Sequence, residues 1–123
     1  MIDVRDRPIS RRPGFSRRQL EAAIEDAGMR YLSLRALGTP PEGREANRRR
    51  DWDRFWTIVE TRLAGAEAKL ALSEAASIAK QSASCLLCYE ADWRCCHRCR
   101  VAELLSERHG FAVHHLAVVE SAG

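Results

Sequence analysis

The stretch CLLCYEADWRCCHRC (residues 85–99) joins an apolar run to the start of a helical pattern. Its apolar start is typical of a short strand that is buried on both faces, as strands are in parallel sheets covered by helices. A turn is predicted around residues 91–94, followed by a helix that begins at Cys95 or Cys96 and stops at Gly110. The stretch therefore predicts a strand, a turn and a helix within an α/β fold.

The segments before and after this stretch also alternate between strand and helix patterns. Further strands are predicted at IDVR (residues 2–5), RYLSL (residues 30–34) and FAVHHLAVV (residues 111–119). Helices are predicted over residues 16–27, 52–63 and 66–81, the last as a separate helix or an extension, and a long loop over residues 36–50. The order β-α-β-α-α-β-α-β predicts a single small α/β domain over residues 1–123, with a mainly parallel four-stranded sheet covered by helices.

The first helix has the most complete local signals. Ser16 and Gln19 have the spacing of a capping box, and Phe15 and Leu20 have that of a hydrophobic staple. Gly28 is a natural C-terminal stop. We therefore expect the helix to begin at Ser16 and to be capped by its hydroxyl.

The composition is typical of a soluble globular protein. Hydrophobic residues make up 46% and charged residues 30%, and no run approaches the roughly 18 apolar residues of a membrane span. The opening MIDVRDRP is charged where a signal peptide would be apolar. We therefore expect a cytoplasmic location without membrane binding. Five cysteines in a reducing compartment are expected to stay reduced rather than to form disulfides.

Arginine dominates the positive charge, with 18 arginines against 2 lysines and a net charge of +3. Six of these arginines lie within residues 1–18, where only two aspartates oppose them. A planar guanidinium binds phosphate or carboxylate through two hydrogen bonds. Ligands of parallel sheets bind beyond the carboxyl ends of the strands, so the loops after Arg5 and Glu90 are expected at the same edge if their strands are neighbours.

Cys96 is the cysteine whose predicted position favours reactivity. It falls in the expected first turn of a helix, where backbone N–H groups and the helix dipole stabilise a thiolate, and His97 and Arg98 add positive charge. A lowered pKa would make Cys96 a nucleophile, while a capping or packing role is the alternative. His97 is a candidate acid or base and Glu90 a candidate base; a solvated histidine and an ordinary salt bridge are the alternatives.

The cysteine spacing also allows a zinc site, with Cys85, Cys88, Cys96 and Cys99 as the alternative ligands. Against it, Cys85 and Cys88 lie three residues apart in a predicted strand, so their side chains would point to opposite faces. Core packing is the other interpretation of Cys85, Cys95 and Cys99.

Three motifs resemble those of the bacterial and archaeal domain-of-unknown-function 488 family. They are DVRDRPISRRPGFS (residues 3–16), LG.P (residues 37–40) and LLCYEADWRCCHR (residues 86–98), followed by a final V.HL (residues 113–116). The resemblance implies a small cytoplasmic α/β domain with no assigned activity. It also implies that Cys88, Glu90, Cys96, His97 and Arg98 match the C-x-E and C-H-R segments of the family. The resemblance also implies a strand and a helix before the DVR strand, so we expect either a true start upstream of Met1 or a trimmed version of the family fold.

These observations favour an enzyme or ligand-binding protein with an arginine-lined anion pocket. Predicted ligand-binding residues are Arg5, Arg12, Arg98 and Cys88, and predicted catalytic residues are Cys96, His97 and Glu90. The expected partner is a small anionic ligand or a phosphate group, with no cofactor. One alternative is a nucleic-acid-binding module that uses the N-terminal arginines. The second alternative is an interaction domain stabilised by zinc.

Overall fold

The computed structural model describes residues 1–88 and 96–116. The three strands are β1 (Ile2–Asp3), β2 (Leu32–Ser33) and β3 (Leu86–Leu87). The α-helices are α1 (Arg17–Asp26), α2 (Pro41–Arg48), α3 (Trp52–Leu63), α4 (Ala66–Gln81) and α5 (Arg98–His109), and a short 3-10 helix covers Arg35–Leu37. The structure confirms the predicted α/β class and the predicted helices that correspond to α1, α3, α4 and α5.

The strands form a parallel sheet with the order β2-β1-β3. Ile2 of the central strand is in register with Leu32 on one side and with Leu86 on the other. Ile2 and Val4 are fully buried. Because all three strands run in the same direction, their carboxyl ends meet at one edge of the sheet.

The prediction of a fourth strand is wrong, since the sheet has three strands among the described residues. Gly110 ends α5 with a φ of 74°, and the chain then runs through residues 111–116 without strand structure. Most of this segment is exposed, and no backbone hydrogen bond joins it to the described part of β2 or β3. An apolar segment becomes a strand only when its N–H and C=O groups pair with a neighbouring edge. Residues 117–119 of the predicted strand lie outside the described residues.

The predicted loop over residues 36–50 contains α2, which the sequence interpretation missed. Pro41 occupies the first turn, where a missing N–H costs no hydrogen bond, and Glu42 and Arg48 lie at the ends that suit their charges. The high content of proline, glycine and charge had suggested a loop. The same residues are helix-start and helix-end signals when they are read by position.

The start of α1 differs from the predicted capping box. The Ser16 hydroxyl forms no cap; it accepts a hydrogen bond from the Ser10 N–H (3.0 Å) and donates one to the Ser10 carbonyl (3.2 Å). The side-chain oxygen of Gln19 accepts from the Gly14 N–H (3.1 Å). These polar groups therefore brace the loop before α1. The predicted stop is confirmed, since Gly28 has a φ of 81°.

The helices pack their apolar faces against the sheet and against each other. Phe55 of α3 is 1% exposed and packs edge-to-face on Trp56, whereas Trp52 is 40% exposed. The predicted inward-facing residues of α5 are all buried: Val101, Leu104 and Leu105. Within the described ranges, no helix has both the length and the apolar character needed to cross a membrane.

Gly38 provides a close contact between the segment after β2 and the loop after β1. A Cβ atom at this position would overlap the backbone nitrogen of Asp6 and lie 2.5 Å from its Cα. We expect Gly38→Ala to lower the free energy of unfolding by about 1–3 kcal/mol, because backbone atoms of the Asp6 loop must move. Urea denaturation measures this change.

Gly65→Ala is the matched control for Gly38→Ala. A Cβ atom at Gly65 would contact only the carbonyl oxygen of Arg62, at 3.2 Å. We expect this control to lower the free energy of unfolding by less than about 1 kcal/mol. The loss is small because Gly65 is the N-cap of α4, where alanine is somewhat less favourable than glycine. Equal losses for the two variants would contradict the close contact at Gly38.

Candidate functional site

The candidate site lies where the carboxyl ends of the strands meet the start of α5. Val4 and Arg5 follow β1, Cys88 follows β3, and Cys96 and His97 directly precede α5. The parallel order places β1 next to β3, so residues that are far apart in the sequence come together. Ligand sites of parallel sheets are found at such an edge.

A buried ion pair between Asp3 and Arg5 supports this edge. Asp3 is 0% and Arg5 2% exposed, and the Arg5 Nε and Nη2 atoms donate to the two carboxylate oxygens at 2.8 and 2.7 Å. Burial opposes the charge of Arg5, but Asp3 outweighs it, so the pKa of Arg5 is raised. The Tyr31 hydroxyl also donates to Asp3, and burial together with this contact raises the pKa of Tyr31 to about 12. Asp3 is therefore surrounded by donors.

Arg5 also connects the ion pair to the loop before α1. Its Nη1 atom donates to the Phe15 carbonyl at 2.7 Å. Three of its hydrogen bonds thus hold the protein itself together. Its predicted role in ligand binding stays a prediction.

His97 is a buried histidine with a defined tautomer. Its Nε2 atom lies 2.8 Å from the Val4 carbonyl oxygen, which only accepts, so the Nε2–H donates. The Nδ1 atom then carries the lone pair, 3.7 Å from the Cys96 Sγ. Burial, aided by the charges of Arg62 and Arg98, lowers the pKa of His97 to about 4. His97 is therefore neutral at pH 7, and the interpretation of a solvated histidine is wrong.

Cys96 lies slightly before the helix rather than in its first turn. The helix begins at Arg98, with His97 as the N-cap. The expected contact with the helix start is nevertheless present, since the Arg98 N–H donates to the Cys96 Sγ at 3.4 Å. Cys96 is 2% exposed. Its sulfur is thus a buried atom between a helix N–H and a neutral imidazole.

Cys88 and Cys96 form a disulfide in the structure. The expectation that the cysteines form no disulfide is therefore wrong for this pair, because the end of β3 and the start of α5 meet at one edge. Their Cα atoms are 7.3 Å apart. Arg98 Nη1 donates to the Cys88 Sγ at 3.1 Å.

The alternative zinc ligands do not converge. Cys85 is exposed and Cys99 is buried, while Cys88 and Cys96 are bonded to each other. Burial and then the charge of Glu103 raise the pKa of Cys99, which suits a packed thiol. Across residues 1–88 and 96–116, no three histidine, cysteine or acidic side chains form a metal-binding group.

Two site predictions lie outside the described residues. They concern Glu90, the predicted base or arginine partner, and Cys95, the predicted core cysteine. The predicted turn at residues 91–94 lies outside the described residues as well.

The sulfur atoms face a cavity of about 630 Å³, which we call the basic cavity. Its lining contains four arginines from the loop after β1 and from α2: Arg7, Arg11, Arg44 and Arg48. It also contains Cys88, Cys96 and His97. Among the described lining residues, the one carboxylate, Asp6, already binds Arg62 at 2.7 Å and Arg44 at 3.1 Å. Within residues 1–88 and 96–116, positive charge therefore exceeds negative charge in the lining.

Several polar groups of the basic cavity have unused binding capacity. The Thr39 side chain is 6% exposed, and its hydroxyl has no hydrogen-bond partner within the described ranges. Buried hydroxyls normally have a partner, so this one is suited to meet a ligand. Arg7, Arg11 and Arg48 form no ion pair with any other described residue.

A second cavity of about 850 Å³, which we call the apolar cavity, contains the predicted ligand-binding residues. Its lining includes Arg5, Arg12, Arg98 and Cys88, next to the Phe15 ring on which the Arg12 guanidinium is stacked at 5.0 Å. The structure thus brings the four predicted residues together. It places the predicted catalytic residues Cys96 and His97 in the basic cavity instead, and Cys88 borders both.

The arginines of the basic cavity were not singled out from the sequence. Arg44 and Arg48 lie four residues apart on α2, which places them on one face of the helix. The spacing predicts that the two side chains share a face only if residues 41–48 are known to form a helix. Arg7 and Arg11 belong to the N-terminal cluster, but composition does not show which of its arginines face the thiols.

Comparison with known proteins agrees with the resemblance seen in the motifs. No curated protein and no solved structure matches the chain. The region that matches a protein family spans residues 1–105, and it includes β1, the loop after β1, Cys88, Cys96 and His97. The chain belongs to the family described as Domain of unknown function DUF488.

Proposed function

We propose that this protein is an enzyme that binds a small anion in the basic cavity and reacts with it through Cys96, with His97 as the base. One observation carries the proposal: four arginines line the same cavity as the Cys96–His97 pair. A volume of about 630 Å³ is that of a site for a small molecule. The cavity lies at the edge of the sheet where the parallel strands end, and α/β enzymes bind their ligands at this edge.

The arginines supply the anion-binding step. Arg44 and Arg48 are held by α2, and the ion pairs of Asp6 with Arg44 and Arg62 fix the helices to the loop after β1. Guanidinium groups bind carboxylate or phosphate with two parallel hydrogen bonds. The unpartnered Thr39 hydroxyl adds one donor for the same ligand.

The thiol step requires the reduced protein. When the bond between Cys88 and Cys96 is open, the neutral Nδ1 atom of His97 accepts the proton of the Cys96 thiol only as the thiol attacks and then passes it on, because burial disfavours the imidazolium. The Arg98 N–H stabilises the resulting thiolate. The Val4 carbonyl holds the imidazole in the tautomer that this transfer needs. Cys96 is then a nucleophile next to the bound anion.

Two alkylating reagents of similar size test the proposal on the reduced protein. Iodoacetate carries a negative charge and iodoacetamide does not, so the basic cavity should favour iodoacetate. We expect the ratio of the iodoacetate rate to the iodoacetamide rate to be about tenfold higher at Cys96 than at Cys85. Peptide mass spectrometry after labelling at pH 6.5 measures both rates.

Cys85 is the internal control, because it is exposed and lies outside the lining of the basic cavity. Cys99, which is buried with a raised pKa, is expected to react slowest with both reagents. The same reagent preference at Cys96 and Cys85 would contradict the proposed anion site. Slow labelling of Cys96 by both reagents would contradict its proposed role as a nucleophile.

The nucleic-acid alternative stays a prediction. Arg7, Arg11, Arg44 and Arg48 line a cavity that also contains two thiols and a buried histidine. Binding of a duplex needs positive charge spread along an open surface. The shared cavity therefore favours the small anion as the partner.

A further inference from the structure

We propose that Cys96 and Cys88 form a reversible dithiol–disulfide pair that reduces small anionic disulfides. Cys96 is the attacking thiol and Cys88 the resolving thiol. The inference rests on the proposed function, because it uses the same cavity and the same nucleophile. It adds the reaction, the substrate class and the role of Cys88.

The first argument is the position of the two sulfur atoms. They are bonded to each other, and both residues line the basic cavity. When a substrate sulfur is bonded to Cys96, the Cys88 sulfur is therefore close enough to displace it.

The second argument is the different surroundings of the two thiols. Cys96 lies 3.7 Å from the unprotonated Nδ1 atom of His97, which gives it a base. Cys88 accepts a hydrogen bond from Arg98 Nη1 at 3.1 Å, which stabilises a thiolate by charge. A base is needed to begin the attack, whereas a stabilised thiolate suits the resolving thiol and the thiol that leaves when the pair is reduced.

The exchange proceeds in two steps that balance. The Cys96 thiol gives its proton to His97, and its thiolate attacks one sulfur of the substrate disulfide; that S–S bond breaks, and the first substrate thiol leaves with the proton from His97. Cys88, which has lost its proton to water, then attacks the Cys96 Sγ as a thiolate, and the second substrate thiolate leaves and takes a proton from water. The protein loses two electrons, the substrate disulfide gains them, and a small-molecule thiol restores the two protein thiols.

The charge of the cavity selects the substrate. Among the described residues, four arginines and one aspartate line the basic cavity, and that aspartate is paired with Arg44 and Arg62. A disulfide that carries carboxylates is attracted into this cavity, and one that carries amines is repelled. Electrostatic steering of this kind changes association rates by tenfold or more.

Two disulfides of equal length and opposite charge test the inference. The probes are 3,3′-dithiodipropionate, a dianion, and cystamine, a dication, each mixed with the reduced protein. Relative to their rates with a small free thiol, we expect the dianion to form the Cys88–Cys96 disulfide about tenfold faster than the dication. Two probe thiols should be released for each Cys88–Cys96 disulfide formed, in addition to the one released by a mixed disulfide at the exposed Cys85. Mass spectrometry of alkylated samples follows the disulfide over time.

Charge variants identify the arginines responsible. The double variant Arg44→Gln/Arg48→Gln should bring the ratio of the two rates close to the ratio that the two probes show with a small free thiol. The matched control is Arg49→Gln/Arg54→Gln, which removes the same charge from two exposed arginines outside the cavity lining. This control should keep the preference for the dianion. An equal effect of the two double variants would overturn the selection by the cavity.

The resolving role has its own readout. With Cys88→Ser, dithiodipropionate should leave one probe half attached to Cys96 and release a single probe thiol. The wild-type protein tests the same point without any substitution: a stable mixed disulfide at Cys96, with only one probe thiol released for each reacted Cys96, would overturn the inference. If Cys96 still prefers iodoacetate in that case, the proposed function stands and only the dithiol reaction fails.

Discussion

Replacing Asp3 by alanine is expected to lower the free energy of unfolding by about 3–5 kcal/mol, because removing one partner of a buried ion pair leaves a buried charge uncompensated. Asp3 is 0% exposed, and both of its oxygens accept hydrogen bonds from Arg5. Tyr31 would lose the same acceptor. Denaturation in urea at pH 7 measures the loss.

A second substitution separates the charge from the lost packing. The double variant Asp3→Ala/Arg5→Met should be less destabilised than Asp3→Ala alone, because the uncompensated guanidinium is also removed. Arg17→Ala is the control for an exposed ion pair, since Arg17 and Glu21 are 50% and 37% exposed. We expect that control to change stability by less than about 0.5 kcal/mol. Equal losses in Asp3→Ala and in the double variant would contradict the role of the buried charge.

Acid should destabilise the protein through His97. The folded-state pKa of His97 is about 4, below its ordinary value of 6.5, because burial disfavours the imidazolium. Between these two values the unfolded chain binds a proton that the folded chain does not, so stability falls as the pH falls. The contribution is fully present above pH 6.5 and is lost down to about pH 4. At ~1.36 kcal/mol per pKa unit, its size is about 3 kcal/mol.

His97→Gln tests this pH dependence without removing the hydrogen bond to Val4, since the glutamine amide also donates. The variant should lose less stability than the wild type between pH 7 and pH 4. His114→Gln removes an exposed histidine and should leave the wild-type curve unchanged. Parallel curves for the wild type and His97→Gln would show that His97 does not titrate in this range.

The helices could largely be predicted from the sequence. Apolar spacing located α3 and α5, and glycines at positive φ stop α1 and α5 at Gly28 and Gly110. These signals act between residues at most a few positions apart. The start of α1 was harder, because the Ser16 hydroxyl is used by Ser10, six residues away. The helix α2 was also hard to predict, because its charged residues and its proline are typical of loops.

The candidate site depended more on the tertiary structure. The motifs singled out Cys88, Cys96 and His97, and the structure brings all three to one cavity. The structure alone showed that His97 is buried against the Val4 carbonyl, 93 positions away in the sequence. It also selected Arg7, Arg11, Arg44 and Arg48 from the 18 arginines of the chain.

The sequence by itself determined the α/β class, the positions of most helices and the segments that carry the thiols, because periodicity, glycine stops and apolar runs are local properties. Only the tertiary structure decided the number of strands, the pairing of Cys88 with Cys96 and the arginines beside them. Strand pairing, burial and charge around a cavity depend on groups from distant segments. These interactions form only when the chain has folded and the distant segments lie next to β1.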